Sequence, residues 1–541
     1  MAHSVEAMRS AVRIGAMLAA VVTAVTAQTG AASAEPSPDQ AVVVTDSGAL
    51  RGTVATDHRT FSGIPYAAPP VGDRRWRAPL PPHPWQTVRD ATRPASPCLQ
   101  MGGPAGSAVV GSEDCLYLNI TTPAGRNARH LPVMVWLPGG GFVSGSGSDY
   151  DPTRLAVSGR VVVVTVNYRL GALGFLDHPA LAPTEPAAGN FGIADQQAAL
   201  RWVGRNIARF GGDAHNITLA GQSAGAYSTC TQLASPPAAG LFQKAIVQSG
   251  PCGNSMVTRP VAQTRGTQMA RDLGCSAAND VPACLRGVAA SRLVGIGGDR
   301  VFTATARIAD LPWLPVAGTP MLPYQPLEAM RRGLAARVPL IQGSTRDEMR
   351  PFVGVNYDFQ GHPLTADQYP GVLAQVFGAD AAGVLARYPA SAYPSPGVAL
   401  ATVLTDRGHK FGGCTVLSAD QAASRRAPVY AYEFAEDPGQ VVGGFAMGVG
   451  HGAELPYLFD GAYNDPGGSP VLNRQQQRLS REMIGYWSNF AATGNPNRTG
   501  LPHWSAYRGD GRLLSLVAGT AGITSTDFRR DHQCGFWNAI H

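Results

Sequence analysis

The sequence predicts an α/β fold, a large and mostly parallel sheet with helices on both faces. Three observations lead there. From about residue 130 onward, short apolar runs alternate with stretches of helical pattern, as parallel strands joined by helical crossovers require. Residues 161–166 are nearly all apolar and β-branched, which suits a strand buried on both faces. Residues 217–220, another short apolar run, pass through Gly221-Gln222-Ser223-Ala224-Gly225 directly into a helix-compatible stretch at 224–233.

Taken in order, residues 41–55 read as a hairpin turning at Asp46-Ser47-Gly48. A Pro- and Arg-rich stretch to about residue 97 reads as irregular surface. Residues 133–137 form a strand that runs into Pro138 and three glycines. The pattern of Ile193, Leu200, Val203 and Ile207 predicts a helix over 193–210, with Asn190 as its candidate cap. Strands follow at 244–248, 338–342 and 429–434. A long helix over 474–491 is stopped near Gly494-Asn495-Pro496. No internal repeat divides the chain, and residues 41–541 are expected to form one domain despite the length prior for more.

The first 34 residues have the pattern of a signal peptide. Arg9 and Arg13 precede an apolar stretch over 14–25, and Ala32-Ser33-Ala34 fits the small-residue cleavage pattern. That stretch is short of the ~20 residues that span a bilayer, and no later segment is a candidate. Export to the extracellular space without stable membrane insertion is expected, with residues 35–40 a disordered leader. The formal net charge of +6 is spread over 541 residues with no basic run. Neither nucleic acid nor an acidic membrane surface is therefore expected as a partner. Lys244 and Lys410 are the only lysines. The eight cysteines are even in number and include no CxxC pair. In an exported chain this points to disulfides rather than a zinc site, without fixing their connectivity.

Gly221-Gln222-Ser223-Ala224-Gly225 carries the chemistry. Between a strand and a helix, a G-x-S-x-G sequence is the setting of a nucleophile elbow, with the serine held out at the sheet's carboxyl end. A serine hydroxyl needs a base to take its proton and donors to hold the oxyanion it creates. Leu137-Pro138-Gly139-Gly140-Gly141-Phe142 offers such donors, since glycines let backbone N–H groups approach a substrate oxygen. Gly140 and Gly141, with Ala224, are the expected oxyanion hole. Phosphate binding is the competing use of a Gly-rich loop, but the Gly-Lys-Ser/Thr ending is missing.

These residues resemble the type-B carboxylesterases, a family that includes cholinesterases and bacterial p-nitrobenzyl esterases. The stretch Phe210-Gly211-Gly212-Asp213 through Gly225 is similar to the family's nucleophile signature, and Glu113-Asp114-Cys115-Leu116-Tyr117-Leu118-Asn119 to its second signature. Gly63-Ile64-Pro65-Tyr66-Ala67, Asn167-Tyr168-Arg169 and Gln248-Ser249-Gly250 match as well. The resemblance runs from about residue 45 to the C-terminus. It implies an α/β-hydrolase fold and hydrolysis of carboxylic esters through an acyl-enzyme, with no cofactor and no metal.

Hydrolases of this fold order their triad Ser, Asp/Glu, His along the chain. The strand at 338–342 leads into Gly343-Ser344-Thr345-Arg346-Asp347-Glu348, which resembles the family's acid loop and makes Glu348 the acid, with Asp347 as runner-up. Met349 stands where a glycine is usual. Gly448-Val449-Gly450-His451-Gly452 resembles the histidine loop and makes His451 the base, His409 being the rival. Gln222 occupies a position often taken by glutamate. With the short, tryptophan-free loop bounded by Cys98 and Cys115, this argues for an uncharged small-molecule ester. Trp313 is a candidate for the acyl pocket and equally a core aromatic. Ser249 is a candidate for the polar network behind the triad and equally a strand-end turn. The resemblance further implies disulfides Cys98–Cys115, Cys275–Cys284 and Cys414–Cys534, and an Arg75–Glu113 ion pair. Cys230 and Cys252 are left over as a pair to be tested. A binding protein on the same scaffold would be a reading from another class. It is disfavoured because Ser223, Glu348 and His451 are all retained.

Overall fold

The computed structural model describes residues 41–102, 108–125, 128–461 and 471–540. The expected signal peptide and leader lie outside the described residues. At the centre is an 11-stranded sheet. Its strands in chain order are β1 (Thr53–Val54), β2 (His58–Pro65), β3 (Tyr117–Pro123), β4 (Leu131–Leu137), β5 (Val162–Val166), β6 (Gly212–Gln222), β7 (Lys244–Gln248), β8 (Leu340–Thr345), β9 (Val429–Phe434), β10 (Arg512–Leu516) and β11 (Thr524–Asp527). They lie side by side as β11-β10-β9-β8-β7-β6-β4-β5-β3-β2-β1. Every pairing from β5 to β10 is parallel, and antiparallel strands finish both edges.

Alternation along the strands builds two cores. Val133, Val135 and Leu137 of β4 enter one, and Met134 and Trp136 enter the other. Tyr430, Tyr432 and Phe434 of β9 join Met134 and Trp136. Successive side chains point to opposite faces of a strand, so a strand covered on both faces must be apolar throughout. The second face is covered by a long helix, Arg474–Thr493, through Leu479, Met483, Trp487 and Phe490 at helical spacing. Asn473 caps that helix by accepting from the Gln475 and Gln476 amides, and Gly494 ends it with φ +78°.

The sequence reading needs correction between residues 56 and 97. His58–Pro65 is an eight-residue strand inside the sheet, not irregular surface. The helix expected over 193–210 runs over Phe191–Asn206 and tightens to a 3-10 turn at Ile207–Phe210. Asn190 occupies the N-cap position and its carbonyl accepts from Ala194 N (2.9 Å), but its side chain makes no capping bond. Its amide instead bonds Val316 and Thr319, tying the helix start to a distant segment. Four disulfides are present: Cys98–Cys115, Cys230–Cys252, Cys275–Cys284 and Cys414–Cys534. Arg75 forms a bidentate pair with Glu113 at 2.7 Å on both arms.

Candidate active site

Ser223 stands between the end of β6 and the helix Ala224–Ala234, with φ +57° and ψ −121°. A non-glycine residue there is strained and persists only where its surroundings hold it. The holding contacts are visible. The Ser223 amide donates to Gln248 O (2.9 Å) on β7, and the Ser223 carbonyl accepts from Tyr227 N (3.0 Å). The glycines around it are dictated by space. A Cβ on Gly225 would lie 1.9 Å from Leu137 O, and one on Gly221 would lie 2.4 Å from the Gly225 carbonyl. Only bare backbone lets the helix start pack this closely on β4 and β6.

The glycine loop after β4 closes over this turn. A Cβ on Gly139 would fall 3.2 Å from Ser223 Cβ. The Pro138–Gly139 peptide is held at both ends: Tyr168 Oη donates to Pro138 O (2.8 Å), and Gly139 N donates to Tyr150 Oη (3.2 Å). The Gly140 carbonyl accepts from Val143 N, Ser144 N and Ser144 Oγ. In a trans peptide the C=O and the following N–H point in opposite directions. Binding the Gly140 carbonyl inside the loop thus turns the Gly141 N–H away from it. Ala224 opens its helix, so its N–H is among the four with no intrahelical acceptor.

Glu348 follows β8 and is completely buried. Its Oε1 accepts from Thr345 N (2.9 Å), and its Oε2 meets His451 Nδ1 at 2.6 Å. A carboxylate only accepts, so the Nδ1–H donates. Asp347 does different work. Its amide donates to Val449 O (3.0 Å), its Oδ2 accepts from the Val449 amide (3.0 Å), and it pairs with Arg350 at 3.1 Å. The acid loop and the histidine loop are thereby pinned together. Gln222 Nε2 lies 3.2 Å from His451 Nε2, on the side of the ring that faces the serine turn. Phe411 packs on the imidazole with ring centroids 4.0 Å apart, and Phe352 at 5.5 Å. An open cleft reaches the histidine loop, lined by Pro351, Met447, Gly450, His451 and Pro456.

The remaining candidates divide. Trp313 is buried in the core and donates its indole N–H to Ile296 O. The Ser249 hydroxyl is buried and has no hydrogen-bond partner among the described residues. His409 donates to Thr305 O (2.7 Å), and burial pushes its pKa down to about 4. Glu454 has no counterpart in the sequence reading. It is buried beside Gln248, and burial, with the charge of Glu348, pushes its pKa up to about 7. The two tyrosines on the glycine loop were also missed, since nothing in the sequence links Tyr150 to Gly139 or Tyr168 to Pro138. Among the described residues, no group of three or more His, Cys, Asp and Glu could hold a metal ion.

The model of the carboxylesterase family matches residues 39–537. The chain belongs to that family. A fumonisin B1 esterase of Sphingopyxis macrogoltabida is 35% identical over 87% of this chain and 85% of its own. The para-nitrobenzyl esterase of Bacillus subtilis is 35% identical over 88% and 94%, and human cocaine esterase 34% over 85% and 83%. Among solved structures, a thermophilic PNB esterase superposes with TM-score 0.76 at 32% identity, covering 92% of this chain and all of the other. The fold is thus the α/β-hydrolase fold, and this carboxylesterase hydrolyses carboxylic esters.

Proposed function

We propose that this carboxylesterase is exported and acts through an acyl-enzyme on Ser223, with His451 as general base and Glu348 as the group that orients it. The observation that carries the reading is the 2.6 Å bond from His451 Nδ1 to Glu348. It fixes the imidazole with its basic nitrogen toward the strained Gln222-Ser223 turn. His451 takes the hydroxyl proton as Ser223 attacks the ester carbonyl. The amides of Gly140, Gly141 and Ala224 hold the oxyanion, and Glu348 stabilises the imidazolium without being protonated. His451 then protonates the departing alcohol, and water releases the acid by the same route.

The substrate is proposed to be a small uncharged ester. Gln222 places a neutral amide beside His451, where a carboxylate would favour cationic groups. Four disulfides fit an oxidising compartment. Among the described residues, no helix is long and apolar enough to cross a membrane. Residues 41–541 are read as a single catalytic unit.

The test is kinetic. Ser223→Ala should lower kcat on p-nitrophenyl acetate by roughly 10⁴-fold or more with its circular dichroism unchanged. Turnover close to the parent's in that variant removes the assignment. In the same assay the parent should favour uncharged esters, and a marked preference for choline esters would remove the substrate reading.

A further inference from the structure

Between Gly298 and Asp310 the chain has only two short 3-10 turns. Its carbonyls are held from outside. Lys410 Nζ donates to Val301 O (2.9 Å) and Thr303 O (2.6 Å). Asn356 Nδ2 donates to Phe302 O (2.7 Å), and Asn356 Oδ1 accepts from Ala304 N (2.8 Å). His409 holds Thr305 O. Three side chains thus fasten four carbonyls of a five-residue strap.

Lys410 is the unusual member. It is completely buried, and lysines are almost never so unless paired. Burial pushes its pKa down to about 7, opposed by the charge of Asp310. Its backbone is anchored elsewhere: the Lys410 carbonyl accepts from Asn254 Nδ2 (2.8 Å) and from Tyr227 Oη. Tyr227 lies on the helix that Ser223 precedes. At the other end of the strap, Val301 is seated on the glycine loop. A Cβ on Gly141 would lie 2.4 Å from Val301 Cγ1, so the isopropyl group rests directly against the Gly141 Cα. The lysine therefore connects the helix behind the serine to the strap in contact with Gly141.

We propose that Lys410 is a positioning residue that braces the 301–305 strap against Gly141, keeping that amide aligned with the serine helix. The proposal rests on the assignment of Ser223 and Gly141 made above. A loose oxyanion amide weakens transition-state binding and leaves substrate binding alone. The burial of a lysine in this place is then explained by what it aligns.

The experiment compares Lys410→Met and Val301→Ala with the parent on p-nitrophenyl acetate, and measures inhibition by an aryl trifluoromethyl ketone. That ketone adds to the serine as an oxyanion, so its affinity reports the amides. Lys410→Met should lower kcat by about ten- to hundredfold, less than the 10²–10³ of losing a donor outright. Val301→Ala should lower it by about three- to tenfold on the same scale. KM should stay within about threefold, and ketone affinity should fall by the same factor as kcat. If Lys410→Met does not fold, Val301→Ala decides alone, because it leaves the clamp intact. Folded variants whose ketone affinity matches the parent's overturn the brace, whatever happens to kcat. Turnover retained by Ser223→Ala would instead overturn the underlying assignment.

Discussion

Glu348 and Asp347 are neighbours in one turn, and their side chains part. Glu348 meets His451, while Asp347 binds the Val449 amide and Arg350. Resemblance to the family's acid loop narrowed the acid to these two residues, with Glu348 ahead, but no local pattern says which way each carboxylate turns. That is decided by the turn after β8 and by packing: a Cβ on Gly412 would lie 2.8 Å from Glu348 Cγ. Glu348→Gln should lower kcat/KM by roughly 10⁴-fold, through loss of the imidazole orientation. Asp347→Asn should cost about tenfold at most, with a lowered melting temperature, because it loosens the loop without touching the ring. Steady-state kinetics and thermal melts on both variants check the division. Equal losses would return Asp347 to candidacy. Trp313 was beyond the reach of sequence because a buried aromatic reads the same in a pocket wall and in a core.

At the scale of elements, the serine turn was legible and the sheet edge was not. Residues 217–220 announce a strand by their apolar run, and Gly221 and Gly225 announce the close approach that follows. Gly225→Ala would drive a methyl into Leu137 O, a rigid carbonyl. Such a clash cannot be relieved by rotating a side chain, so loss of more than ~3 kcal/mol of stability is expected, read by urea denaturation. A variant as stable as the parent would mean that the helix start sits further from β4. β2, by contrast, hides among prolines and arginines. Its N-terminal half is only partly buried, so it shows neither the continuous apolar run of a central strand nor a clean alternation. The same holds for β11, whose residues are mostly exposed or half-buried.

Across the whole molecule, the C-terminal segment is fastened by a buried charge cluster. His532 bonds Asp406 at 2.6 Å and Glu433 at 2.7 Å, beside the Cys414–Cys534 disulfide that joins residues 120 apart. Burial alone would lower the His532 pKa, but the two hydrogen-bonded carboxylates overcome it and hold the value at about 10, above the unfolded 6.5. The histidine therefore contributes stability that is fully present below about pH 6.5 and is lost as pH rises toward 10. His532→Gln should lower the melting temperature most at pH 6, with the gap to the parent shrinking by pH 10. A gap independent of pH would show that the cluster holds no charged imidazole. Legible from sequence were the sheet's parallel centre and the long helix. The long-range ties, from Tyr150, Lys410 and His532, were not, because hydrogen bonds between residues distant along the chain leave no local pattern. The proposed convergence of Ser223, His451 and Glu348 beside the glycine amides is tested most directly by a crystal structure of the adduct with a p-nitrophenyl phosphonate. Phosphorus is expected on Ser223 Oγ, its oxygen within hydrogen-bond distance of Gly140, Gly141 and Ala224 N–H, and His451 Nε2 beside the serine oxygen. Phosphorus on another residue, or that oxygen turned to solvent, would contradict it.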